Sequence, residues 1–127
     1  MTKVAAVQMV STPSVAENIA TARRLVAQAA AGGAQLVTLP EYWPIMGMSD
    51  ADKVSHAEQP GSGPIQNFMS ETAREHGIWL IGGTLPLVSP DAARVMNTTL
   101  VYGPDGKPVS RYDKIHLFGF TKGKESY

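Results

Sequence analysis

The chain has 127 residues, enough to bury one core, with eleven basic residues against eleven acidic ones and 43% of positions hydrophobic. That neutrality, with no Lys/Arg cluster, argues against general nucleic-acid binding, and the absence of long apolar runs or a secretory leader after Met1 argues against a membrane partner and for a cytoplasmic location. No cysteine is present, so these residues hold no disulfide, no thiolate metal site and no cysteine nucleophile.

Lys3 to Val10 is nearly continuous in apolar residues and predicts a strand covered on both faces. Ser14 and Glu17 have capping-box spacing, and Val15, Ile19, Ala22, Val26 and Ala29 follow as one apolar stripe of a helix that Gly32-Gly33 stops. Ala34 to Leu39 is the next strand, so the first forty residues read as a βαβ unit with parallel pairing. Pro40 to Gly63 is a long irregular segment, and long loops in compact domains are often functional. Pro64 opens a second helix with the stripe Ile65, Phe68, Met69, Thr72 and Ala73, ended by Gly77. Ile78 to Thr84 is a third strand. Val95 to Tyr102 and Pro108 to Ile115 are two more, joined by the turn Gly103-Pro104-Asp105-Gly106 and therefore antiparallel. The fold class is α/β with a mixed β-sheet and no internal repeat.

Two residues stand out chemically. Glu41 follows a strand directly, and Pro40 sets the angle at which the chain leaves it. Tyr42 and Trp43 beside it are expected to shield the carboxylate, which would raise its pKa toward the range of a general base. The same two aromatics either wall a substrate pocket or cover the strand edge. Lys114 ends the last strand, where an ammonium group can stabilise a developing oxyanion. Spacing alone does not bring Glu41 and Lys114 together. The three histidines, His56, His76 and His116, lack metal-ligand spacing, His76 reading as a helix-end residue and His116 as structural. Gly61-Ser62-Gly63 and Gly82-Gly83 lack the pattern of a phosphate cradle, and the methionines read as core fillers. No metal and no cofactor are expected.

The run Leu36-Val37-Thr38-Leu39-Pro40-Glu41, followed by Arg111-Tyr112-Asp113-Lys114-Ile115-His116-Leu117-Phe118, resembles the nitrilase superfamily of carbon–nitrogen hydrolases, its Nit-type amidase branch in particular. Val4-Ala5-Ala6-Val7-Gln8-Met9, Asn97-Thr98 and Gly103-Pro104-Asp105-Gly106 agree with it, in family order along the whole chain. The resemblance implies an α-β-β-α sandwich, often dimerised through helices, and a Glu–Lys–Cys triad. In it Glu41 matches the general base and Lys114 the stabiliser of the tetrahedral intermediate, while Tyr42 and Trp43 are the candidate substrate contacts. It further implies hydrolysis of a non-peptide amide of a small carboxylated molecule through a thioester. Nitrile or N-carbamoyl hydrolysis uses the same three groups, and a non-catalytic interaction module is the rival from another class.

In the family the cysteine lies beyond the lysine, so residues 1–127 are expected to be the N-terminal portion of a single hydrolase domain. Alone they should be inactive, with sheet surface exposed. Thr121 stands where many members carry a further acid, with Glu125 the nearest carboxylate, and neither is assigned a role.

Overall fold

In the computed structural model, residues 1–115, 121–122 and 125–126 are described. The chain runs β1 (Val4–Ala6), α1 (Val15–Ala31), β2 (Leu36–Thr38), α2 (Asp50–Ser55), α3 (Pro64–His76), β3 (Trp79–Ile81), β4 (Leu85–Val88), β5 (Val95–Tyr102), β6 (Pro108–Asp113), β7 (Thr121–Lys122) and β8 (Glu125–Ser126). The readings made of His116 and of the Thr121 and Glu125 side chains fall outside the described residues.

The sheet is mixed, as the sequence predicts. β1, β2 and β3 pair in parallel, with Val4, Leu36 and Trp79 in one row and Ala5, Val37 and Leu80 in the next. β5 is antiparallel to three strands: β6 along one edge, and β3 and β4 in succession along the other. The third predicted strand, Ile78 to Thr84, is shorter than expected, since β3 ends at Ile81, and β4 is a further strand that the sequence reading did not give. Gly82 still donates to the Leu100 carbonyl at 2.8 Å, the chain bends at Gly83, and pairing resumes from Leu85 to Val88. Other boundaries also shift. The first strand is three residues long rather than eight, and the last ends at Asp113 rather than Ile115. The segment read as irregular from Pro40 to Gly63 contains the short helix α2.

Alternation puts Val37, Leu80, Leu100 and Tyr102 on one face, and these are buried with Ala22 and Val26 of α1 and Phe68, Met69 and Ala73 of α3. The two helices thus cover one face of the sheet. The opposite face carries Val4, Trp79 and Tyr112, all exposed. Half of the expected capping box forms at α1. The Ser14 hydroxyl accepts the Glu17 N–H at 3.2 Å, but the Glu17 carboxylate accepts from the Thr12 hydroxyl instead of the cap's own N–H.

Helix α3 is capped by a carboxylate from outside it. Glu58, 7% exposed, accepts the Ile65 N–H at 2.7 Å on one oxygen and the Gln66 N–H at 3.0 Å on the other. Those are donors of the first turn that no helical carbonyl can reach, at the end where the peptide dipoles favour negative charge. Gly63 has φ +127°, and a Cβ there would collide with the Glu58 carboxylate, so a glycine is required for the acid to reach the helix end. Glu58→Ala is expected to lower stability by about 2–3 kcal/mol, the scale of hydrogen bonds to a charged acceptor. A drop in the urea midpoint at unchanged m-value checks it.

Candidate active site

β2 carries the chain through Leu39, 2% exposed, into Pro40 and Glu41. The bend that follows is held from several directions. Tyr42 adopts φ 54°, an uncommon backbone for a non-glycine residue, and its N–H donates to the Thr84 hydroxyl at 2.8 Å. The Ser11 hydroxyl donates to the Trp43 carbonyl at 2.8 Å, and the buried Asn18 amide donates to the Pro44 carbonyl at 2.7 Å. Trp43 itself is fully buried, its ring 5.4 Å from that of Phe68. Of the two roles open to it, covering and pocket wall, the structure shows burial: with no exposed surface the indole anchors the loop. Tyr42 is half-buried, and the Lys53 ammonium of α2 sits 4.0 Å from its ring centroid.

Gly83 sets the position of the loop against the sheet. Its φ is +41°, and a Cβ on it would fall onto the carbonyls of Leu39 and Pro40. The bent β3–β4 segment therefore passes backbone to backbone beside the residue that precedes Glu41. The next residue, Thr84, is then in place to hold Tyr42.

From the other side of the sheet, Lys114 follows β6, and its N–H donates to the Asn97 carbonyl at 2.8 Å, one step beyond the last paired residue. Asp113, just before it, is fixed by the Thr98 hydroxyl at 2.7 Å and by Arg111 at 3.0 Å. Burial raises the Asp113 pKa, and the Thr98 and Arg111 bonds outweigh it, so the carboxyl stays below its ordinary value of 3.8.

These two strand ends bring the sequence-predicted residues together. Lys114 Nζ lies 2.8 Å from Glu41 Oε1 across 73 residues of chain. Asn97 Nδ2 donates to the same oxygen at 3.2 Å. Among the described residues Oε2 of Glu41 has no partner, so both donors converge on one oxygen and leave the other open. The lysine side chain is 30% exposed and the glutamate 50%.

The expected upward pKa shift of Glu41 is not what the structure holds. The Lys114 hydrogen bond lowers it below 4.5, burial works the other way, and Asn97 and the charges of Lys114 and Lys53 add to the lowering. Neighbouring aromatics do not desolvate a carboxylate half open to solvent and bonded to an ammonium group. Lys114 is raised above 10.5, first by its bond to Glu41. Near neutral pH the pair is ionised on both sides.

The linkage follows in sign. A depressed carboxylate contributes stability above its unfolded pKa, near 4.5, and loses it as pH falls through the lower folded value. The raised lysine contributes below 10.5 and loses it as pH rises through the higher folded value. Urea midpoints of the parent and Glu41→Gln are expected to differ between these limits and to converge in acid. The gap should be small, because the pair is partly solvated.

Asn97, Thr84, Gly83 and Asn18 were not singled out as site residues in the sequence. Only the polar Asn97-Thr98 at the head of an otherwise apolar strand gave a signal.

Glu41 after β2 and Lys114 after β6 thus meet as an ion pair in a mixed α/β sheet, although β3 and β5 lie between their strands. Residues 3–127 match the family model described as carbon-nitrogen hydrolase, and the chain belongs to that family, within the nitrilase superfamily. It is similar to the omega-amidase of Xenopus laevis (36% identity over 125 residues, covering 91% of this chain and 41% of the relative). It is also similar to the deaminated glutathione amidase of Yersinia enterocolitica (34% over 116 residues, 91% and 40%). The solved structure of the C. elegans NitFhit protein superimposes with a TM-score of 0.84 at 29% identity, covering 96% of this chain and 31% of that one. The chain thus spans about two fifths of the length of these curated relatives.

Proposed function

We propose that the protein is an amidase acting on non-peptide amide bonds of small carboxylated molecules. In this reading the chain is the N-terminal portion of one hydrolase domain and supplies Glu41 and Lys114 to a Glu–Lys–Cys triad. The observation that carries it is the 2.8 Å contact between Glu41 and Lys114. The amidase names of the relatives support it.

Glu41 Oε2 takes the thiol proton, and the thiolate adds to the amide carbonyl. The oxyanion that forms is held by the Lys114 ammonium, which stays charged throughout. The C–N bond then breaks, the proton on Glu41 goes to the leaving nitrogen, and a thioester remains. Glu41 next takes a proton from water, hydroxide adds to the thioester, and the acid departs as the thiol regains its proton. A carboxylate with a depressed pKa suits this cycle because it is ionised before substrate arrives. Tyr42 is the proposed substrate contact, with Trp43 behind it as the support. Lys53 adds positive charge beside Glu41, which favours an anionic substrate.

The test takes the full-length protein encoded by the gene. It is assayed for ammonia or amine release from ω-monoamides of small dicarboxylic acids, with nitriles and N-carbamoyl amino acids in parallel. Turnover of the amides and an acyl adduct in quenched intact-mass spectra are expected. Amide turnover that survives complete thiol alkylation counts against the triad. Turnover confined to nitriles or N-carbamoyl compounds moves the assignment to those branches, and none at all favours the interaction module.

A further inference from the structure

Asn97 touches both members of the pair. It lies on β5, 3% exposed, directly across from Pro86 of β4. Its main-chain carbonyl receives the Lys114 N–H at 2.8 Å, and its side-chain Nδ2 donates to Glu41 Oε1 at 3.2 Å. Lys114 Nζ closes the ring on that same oxygen at 2.8 Å. The orientation of the amide is chemically dictated, since an ionised carboxylate only accepts and the NH₂ end must face it. The cost is visible at the other end. Asn97 Oδ1 is buried with no hydrogen-bond partner among the described residues, an arrangement that costs stability. The orphan acceptor is what remains once the NH₂ end of the amide is turned to the Glu41 carboxylate.

We propose that Asn97 is a positioning residue of the reaction, clamping Oε1 of Glu41 to the strand that presents Lys114, so that proton transfer is confined to Oε2. This rests on the amidase reading above. A glutamate side chain has three rotatable bonds and Lys114 has four, so a pair joined only to each other would drift over several geometries. The buried amide, on a strand paired along both edges, ties the carboxylate to the sheet. The ring then closes through the backbone, and the distance between base and oxyanion stabiliser no longer depends on two flexible chains.

The role is tested first by NMR on the full-length protein. In the unaltered chain the Asn97 side-chain NH₂ resonances should follow the Glu41 carboxyl titration and should move when Glu41→Gln removes the charge. In Asn97→Leu, which keeps the volume and removes the donor, the Glu41 titration should move upward while the Lys114 backbone amide keeps its resonance. Asn97 NH₂ signals indifferent to the state of Glu41 overturn the role with no variant at position 97. In the full-length protein, Asn97→Leu should lower kcat by about tenfold or more with little change in KM, the range set by loss of one charged hydrogen bond. The acid limb of its kcat/KM profile should move to higher pH. No amide turnover by the unaltered protein would overturn the functional reading, whereas an active protein whose Asn97→Leu variant keeps kcat and acid limb overturns the role of Asn97.

Discussion

Glu41→Gln in the full-length protein is expected to lower amide turnover by about 10²- to 10⁴-fold, the usual contribution of a positioned general base. The substitution is close to isosteric and still offers an oxygen to Lys114 Nζ and Asn97 Nδ2, whose distances in the parent are 2.8 and 3.2 Å. What it removes is basicity. The loss should therefore fall on kcat, with KM little changed, because half of the Glu41 side chain faces solvent and the amide keeps its shape. Lys114→Met makes the complementary experiment. It keeps the stem and deletes the charge, and a loss of about 10²- to 10³-fold is expected for one oxyanion stabiliser. It should also release Glu41 from the interaction that contributes most to its lowered pKa, so the acid limb of the pH profile moves upward. A Glu41→Gln protein that turns over amides at near-parental rate removes the base assignment, whatever Lys114→Met does.

The local signals in the sequence were legible where a single residue decides. Ser14 accepts from Glu17 at the head of α1, Gly77 ends α3 with φ 60°, and β5 spans Val95–Tyr102 with the expected bounds. What depends on approach between distant segments was not. Gly82-Gly83 reads as the end of a strand, yet Gly83 is the bend between β3 and β4, because its missing Cβ admits the Pro40 backbone. Asn18 lies outside the apolar stripe read for α1, yet it ties Thr12 and Pro44 together. Glu58 sits in a stretch without periodicity and becomes a helix cap only once α3 is placed over it. The direction of the Glu41 pKa was misread for the same reason. Its neighbours in sequence are aromatic, while its neighbours in space are an ammonium group and an amide. Motif residues name the groups, while the bonds from Lys114 and Asn97, brought up by distant segments, lower the Glu41 pKa.

Gly83→Ala is the substitution expected to cost most stability, about 3 kcal/mol or more, through two mechanisms that add. The residue occupies φ +41°, which an L side chain adopts only with strain, and the new methyl would land on the Leu39 and Pro40 carbonyls. Relief requires β4 to withdraw from the end of β2. That movement would carry Thr84 away from the Tyr42 N–H and draw the Thr99 hydroxyl off the Gly83 carbonyl, now 2.6 Å apart. The Glu41 loop would lose its hold while Lys114, on the far edge of β5, stays in place, so the pair should loosen along with the fold. Thr84→Val separates the two effects. It removes the hydroxyl that receives the Tyr42 N–H without adding volume against Pro40, and about 1 kcal/mol is expected for a partly buried donor left unpaired. Urea midpoints rank the two variants, and the Glu41 carboxyl titration reports whether the ion pair has opened. Should Gly83→Ala keep the parental midpoint, the backbone-to-backbone approach would be wrong. If its Glu41 titration stays depressed despite a large loss of stability, the loop is held by Trp43 and Asn18 and not by Thr84. A parental titration in Thr84→Val alone would show that the other anchors suffice once the steric contact is right, which makes the glycine and not the hydroxyl the residue that positions the base.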